Sequence, residues 1–117
     1  MTDSLYEGPI CDAHHHLWEP TTHAWLAGVE GHPAGDFEPV KTYLRARYAG
    51  DAAAAGVTRS VHVQAHHQDA LEESRWLSAM GDEADDNGAV LPAAIVAFVD
   101  LASENAPEAL AAQAKVV

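Results

Sequence analysis

The chain has 117 residues, 48% of them apolar, a size that suits one small globular domain with a modest core. Six Lys and Arg stand against eighteen Asp and Glu, a formal net charge of -12, and no basic run could follow a phosphate backbone or an anionic lipid surface; neither nucleic acid nor a membrane is an expected partner. The single cysteine, Cys11, forms no disulfide within the chain, the opening MTDSLYEGP carries no basic-then-apolar leader, and nothing reaches the roughly 18 to 20 continuous apolar residues of a membrane span, so a soluble cytoplasmic protein is expected.

In chain order, PICDAH has strand length and is punctuated at its start by Gly8 and Pro9. Residues 17–39 hold Pro20, Gly28, Gly31, Pro33, Gly35 and Pro39 with Trp18 and Trp25 among them, an irregular connection long enough to be a binding loop or lid. VKTYLRARYAGDAAAAG places Val40, Tyr43, Leu44 and Ala54 on a helical pattern, weakened by Gly50 and closed by Gly56 at the C-terminal cap. VTRSVHVQA alternates Val57, Val61 and Val63 and reads as a second strand ending near Gln64. DALEESRWLSAMGDEADDNG predicts a helix from Leu71, Trp76, Leu77, Met80 and Ala84, with Asp69 as N-cap, Glu72 and Glu73 in the first turn and Gly88 past its end. VLPAAIVAFVD, with Ile95, Val96, Phe98 and Val99, predicts a strand buried on both faces, and SENAPEALAAQAK a last helix with Pro107 in its first turn.

Strand and helix alternate three times, which predicts parallel strands joined by right-handed crossovers. Ligands of such folds bind at the carboxyl ends of strands, where His14 and His16, then Gln64, His66 and His67, then Asp100 fall. Strand alternation sets Asp12, His14 and His16 on one face and Cys11, Ala13 and His15 on the other. A His-x-His pair offers two imidazoles to one point, and imidazole is the commonest protein ligand for zinc, but a catalytic ion takes three protein ligands. Spacing alone therefore leaves open a ligand pair and a solvated polar patch. By parity His15 belongs to packing, and Cys11 to the helix-facing side as a small buried hydrophobe rather than a nucleophile paired with histidine. His62, inside the second strand, reads as a satisfied structural histidine.

With DAHHHLW at positions 12–18 the sequence resembles the amidohydrolase superfamily, in the amidohydrolase-2 branch of TIM-barrel hydrolases that includes lactonases. GVTRSVHVQA, EESRWL and AIVAFVDL continue the likeness in order along nearly the whole chain. The resemblance implies a (β/α)8 barrel whose first strand turns His14 and His16 to the active site. By that resemblance they bind a divalent metal there, usually zinc, which activates water against a lactone, ester or amide carbonyl of a small-molecule substrate. It also implies Trp18 as a substrate-binding residue and, at the second strand end, Gln64 and His66 as further pocket positions, each equally readable as ordinary loop polarity. Relatives that decarboxylate, or work without metal, share the same first motif.

A complete barrel takes about 250 residues. The expectation is therefore the amino-terminal part, residues 1–117, of one barrel domain, lacking the later histidines and the late-strand aspartate, and inactive by itself. Three strands also leave two open sheet edges, through which self-association is expected. A non-catalytic module that binds a partner through its open edge is the alternative class.

Overall fold

A computed structural model describes residues 6–29, 41–83, 85 and 88–117. The expectations placed on Gly31, Pro33, Gly35, Pro39, Val40 and Ala84 lie outside the described residues. The fold is α/β: a three-stranded parallel sheet in the order β1 (Ile10–His15), β2 (Val57–Val63), β3 (Val90–Val96). Among the described residues three α-helices follow the pattern read from the sequence, α1 (Arg45–Ala55), α2 (Ala70–Gly81) and α3 (Ala106–Ala114). Consecutive parallel strands joined by crossovers of one hand place the helices on a single face of the sheet. Between them lies the core, Leu17, Tyr48, Ala52, Leu77, Ala89 and Leu91.

Each helix is set by its ends and its buried stripe. In α1, Tyr48 and Ala52 are buried one turn apart, and Gly56 caps the helix with φ +77°, a left-handed conformation that favours glycine. The helix starts at Arg45 because Tyr43 is engaged elsewhere: its backbone exchanges two 3.0 Å hydrogen bonds with Trp18. Asp69 caps α2 as expected, accepting from the amides of Leu71 (3.1 Å) and Glu72 (3.0 Å). In α3, Pro107 occupies the first turn.

Two expectations about boundaries are corrected. Helix α2 stops at Gly81, and Gly88, with φ +76°, instead turns the chain into β3, where Asp85 accepts from the amides of Gly88 and Ala89. The 17–39 connection also contains a 3-10 helix, Ala24–Val29. Strand β3 is not buried along its whole length: Leu91 and Pro92 are buried, whereas Ala93, Ala94 and Val96 are exposed, in a strand at the edge of the three-stranded sheet. Pro92 has no amide to donate, and the β2–β3 register slips around it, from Arg59 opposite Val90 to Val61 opposite Ala94.

Gly81 is a place where the helix needs a glycine for space. A Cβ there would lie 2.5 Å from the backbone oxygen of Pro92, a contact that neither element can relieve by a rotamer change. Gly81→Ala is expected to destabilise the fold by about 1–3 kcal/mol, despite alanine's better helix propensity. A urea midpoint at or above that of the wild type would contradict this close approach. Among the described residues no helix is long and apolar enough to cross a membrane.

Candidate functional site

The end of β1 is bulged. Asp12 lies opposite Ser60 and His15 opposite His62, three steps on one strand against two on the other. The Asp12 carboxylate closes the bulge by accepting from the His14 amide (3.1 Å) and reaches α1 to accept from the Tyr48 hydroxyl (2.8 Å). Burial alone would raise the Asp12 pKa, but those two hydrogen bonds, together with the neighbouring His15 and His14, hold the carboxyl below its ordinary value. His15 stacks on the same Tyr48 ring, 3.9 Å between centroids and 5° from parallel. Asp12 and His15 therefore both engage α1, which corrects the expectation that Asp12 shares a face with His14 and His16. Cys11, expected in the buried layer, is exposed, since β1 is an edge strand and its first residues lie beyond the helical cover.

His14 and His16 do come together, with ring centroids 5.0 Å apart, edge to face. His16 Nδ1 lies 2.7 Å from the Val63 carbonyl. A carbonyl can only accept, so Nδ1 carries the proton and Nε2 keeps its lone pair, the arrangement that prepares a histidine as a metal ligand. Behind the pair, His62 is fully buried and its Nε2 accepts from the Leu17 amide (2.9 Å), while its Nδ1 has no hydrogen-bond partner. It is thus only half satisfied. Burial first, and then the neighbouring His15 and His16, depress its pKa to about 3. The buried His15 ring has no hydrogen-bond partner on either nitrogen, and burial depresses its pKa to about 4.

An aromatic wall continues from the pair. Trp18 lies 6.2 Å from His16 and Trp25 lies 5.4 Å from Trp18, ring centre to ring centre. The Trp25 indole donates to the Ala65 carbonyl just past β2 (2.6 Å), leaving 40% of the residue exposed. Trp18 is therefore beside the histidines, as the motif implied, and Trp25 is a neighbour the sequence reading left unassigned.

Gln64 and His66 are not gathered into this cluster. The Gln64 amide donates to the Ala70 carbonyl (2.7 Å) and the Ser74 hydroxyl (2.8 Å) and accepts from the Phe98 amide (2.6 Å), which ties β2 to α2 and to the chain after β3. Ser74 passes the connection to Gln113 of α3 (2.6 Å). His66 is exposed with a left-handed φ of 56°, its ring 6.4 Å from Phe98. His67 accepts from the Asp69 amide (2.8 Å), and Asp100 accepts from the Ala102 amide (3.0 Å), local turn contacts in both cases.

Sequence reasoning also missed His23 and Glu73, both fully buried and 3.0 Å apart. Glu73 reads as one of two acids in a first helical turn, yet it stands four residues before the buried Leu77, on the same helical face. That spacing was the available signal. Among the described residues no three His, Cys, Asp or Glu side chains converge on one metal position, so His14 and His16 stand as a pair. No family model matches the chain, and no curated protein or solved structure matches it.

Proposed function

We propose that this chain is the amino-terminal part of an amidohydrolase-like (β/α)8 barrel whose activity is hydrolysis of a lactone, ester or amide carbonyl in a small molecule. In this reading His14 and His16 are two ligands of a divalent ion, zinc in the first instance. One observation carries the reading: the two imidazoles adjoin at a strand's carboxyl end, and Val63 fixes the His16 tautomer that leaves Nε2 able to coordinate. The donor chemistry of the pair fits such an ion as part of a ligand set, and a third donor is required from outside the described residues.

When bound, the ion lowers the pKa of water and polarises a carbonyl. The chain's own residues supply the rest of this corner. Val63 orients His16, the Asp12 carboxylate braces the bulge that presents His14, and Trp18 with Trp25 form an apolar wall that excludes water from one side. Proton transfer belongs to groups of later strand–helix units, as do the strands that would pair with the open edges of β1 and β3.

Titration with Zn2+, followed through the histidine side-chain resonances, tests the reading. The chain alone is expected to bind with a Kd weaker than about 1 μM, since two ligands give far less than a full structural set. Binding should vanish in the His14→Ala/His16→Ala double variant. Unchanged binding in that variant would sink the assignment, and a purified folded monomer that hydrolyses lactones at enzyme-like rates would sink the claim that the site is incomplete.

A further inference from the structure

The loop after β1 is fastened by a buried carboxylate. Glu73 Oε2 lies 3.0 Å from Nε2 of His23, and Glu73 Oε1 accepts from the Ala65 amide (3.2 Å). On the other side of the ring, His23 Nδ1 lies 3.2 Å from both the amide and the carbonyl of Glu19 and 3.0 Å from the Thr22 hydroxyl; because a carboxylate only accepts, Nε2 is the nitrogen that donates to Glu73. Two residues further on, Trp25 donates to the Ala65 carbonyl (2.6 Å). Ala65 is thus held at its amide by Glu73 and at its carbonyl by Trp25, and the path Glu73, His23, Trp25, Ala65 closes on itself. The loop is also tied at Thr22, whose carbonyl accepts from the Gln68 amide (2.9 Å).

Lifting this loop would strip Glu73 of its imidazole partner while the carboxylate is still covered by α2 and the end of β2, which is costly. The Trp25 wall and the buried pair therefore move together. We propose that Glu73 is a positioning residue for the candidate site: through His23 and Ala65 it sets Trp25, and with it Trp18, beside His14 and His16. The proposal rests on the metal-site reading only in taking the wall to border a binding site.

The test uses the whole 15N-labelled chain, following exchange of the Trp25 indole N–H against the backbone N–H of Ala52, buried in α1; Trp76 is no reference, since its ring lies 6.4 Å from that of His23. Glu73→Leu keeps much of the side-chain volume and removes both acceptors, so neither His23 nor the Ala65 amide keeps its bond. The Trp25 indole is expected to exchange about tenfold faster or more, as for the loss of one hydrogen bond, while the Ala52 amide changes less than about twofold. His23→Leu, which has no donor for Glu73, cuts the link from the loop side and should give the same selectivity. With Ni2+ as probe, paramagnetic broadening of the Trp25 signal should fall in Glu73→Leu at an affinity within about twofold of the wild type.

The Trp25 indole and the Ala52 amide accelerating together would overturn the proposal, as would a folded variant in which neither moves, or failure of both variants to fold. A wild type that binds no Ni2+ would instead remove the metal-site reading, and the exchange of Trp25 would still decide the positioning role.

Discussion

Acidification from pH 7 toward pH 4 is expected to unfold the protein, and His15 and His62 are the principal cause. Their folded-state pKa values, about 4 and about 3, lie below the ordinary 6.5 because both rings are buried. Between pH 6.5 and those values the unfolded chain holds protons that the folded chain refuses. Stability is therefore complete above pH 6.5 and declines as the pH falls, by at most about 1.4 kcal/mol per pH unit for each ring. Two such groups over two units approach the 5–15 kcal/mol or so that a typical domain has in total. Asp12, whose pKa is depressed, adds to the loss in the same direction at still lower pH. Far-UV circular dichroism against pH reads the transition, and His15→Phe is the control. Phe keeps the stack on Tyr48 without the two unpartnered nitrogens, so the acid midpoint should move down; an unchanged midpoint would show that this ring does not drive the transition.

The second large effect is expected at the centre of the core. Leu77 of α2 is completely buried in one cluster with Leu17, Tyr48 and Leu91, so it links a helix, the chain after β1 and the sheet. Leu77→Ala removes that contact and leaves a cavity, a loss of about 2–5 kcal/mol. In a sheet covered on one face only, few other contacts compensate. Leu110 of α3 provides the comparison: at 50% exposure, its replacement by alanine should cost less than about 1 kcal/mol. Urea unfolding of both variants measures the contrast, and equal midpoints would place the core elsewhere.

The alternation of strand and helix was legible because its signals are local: alternating valines in β2, Asp69 before α2, Gly56 after α1 and Pro107 in α3. Boundaries that depend on contacts distant in sequence were not. The start of α1 is decided by the pairing of Tyr43 with Trp18, and the partial exposure of β3 is a property of the assembled sheet. At the site, the spacing of His14 and His16 anticipates that their rings adjoin. The facing of Asp12 was misread because period-2 reasoning cannot detect an extra residue in one strand. Glu73 was hidden by its type, since a carboxylate in a first helical turn is usually solvated, and only its partner His23, fifty positions earlier, explains its burial.

The bulge in β1 gives the triple histidine a tolerance that its individual contacts do not reveal. Where one residue of a strand is extra, the neighbouring register in which a different residue is extruded is the nearest competing arrangement. With alternating residue types, such a slip would exchange both imidazoles for whatever stood beside them. Because positions 14, 15 and 16 are all histidine, a shift by one in either direction still leaves one imidazole of the pair in place. In the metal-site reading proposed above, the run would act as redundancy against misregistration: a strand paired one residue out would keep one of the two imidazoles and regain the second by moving a single residue.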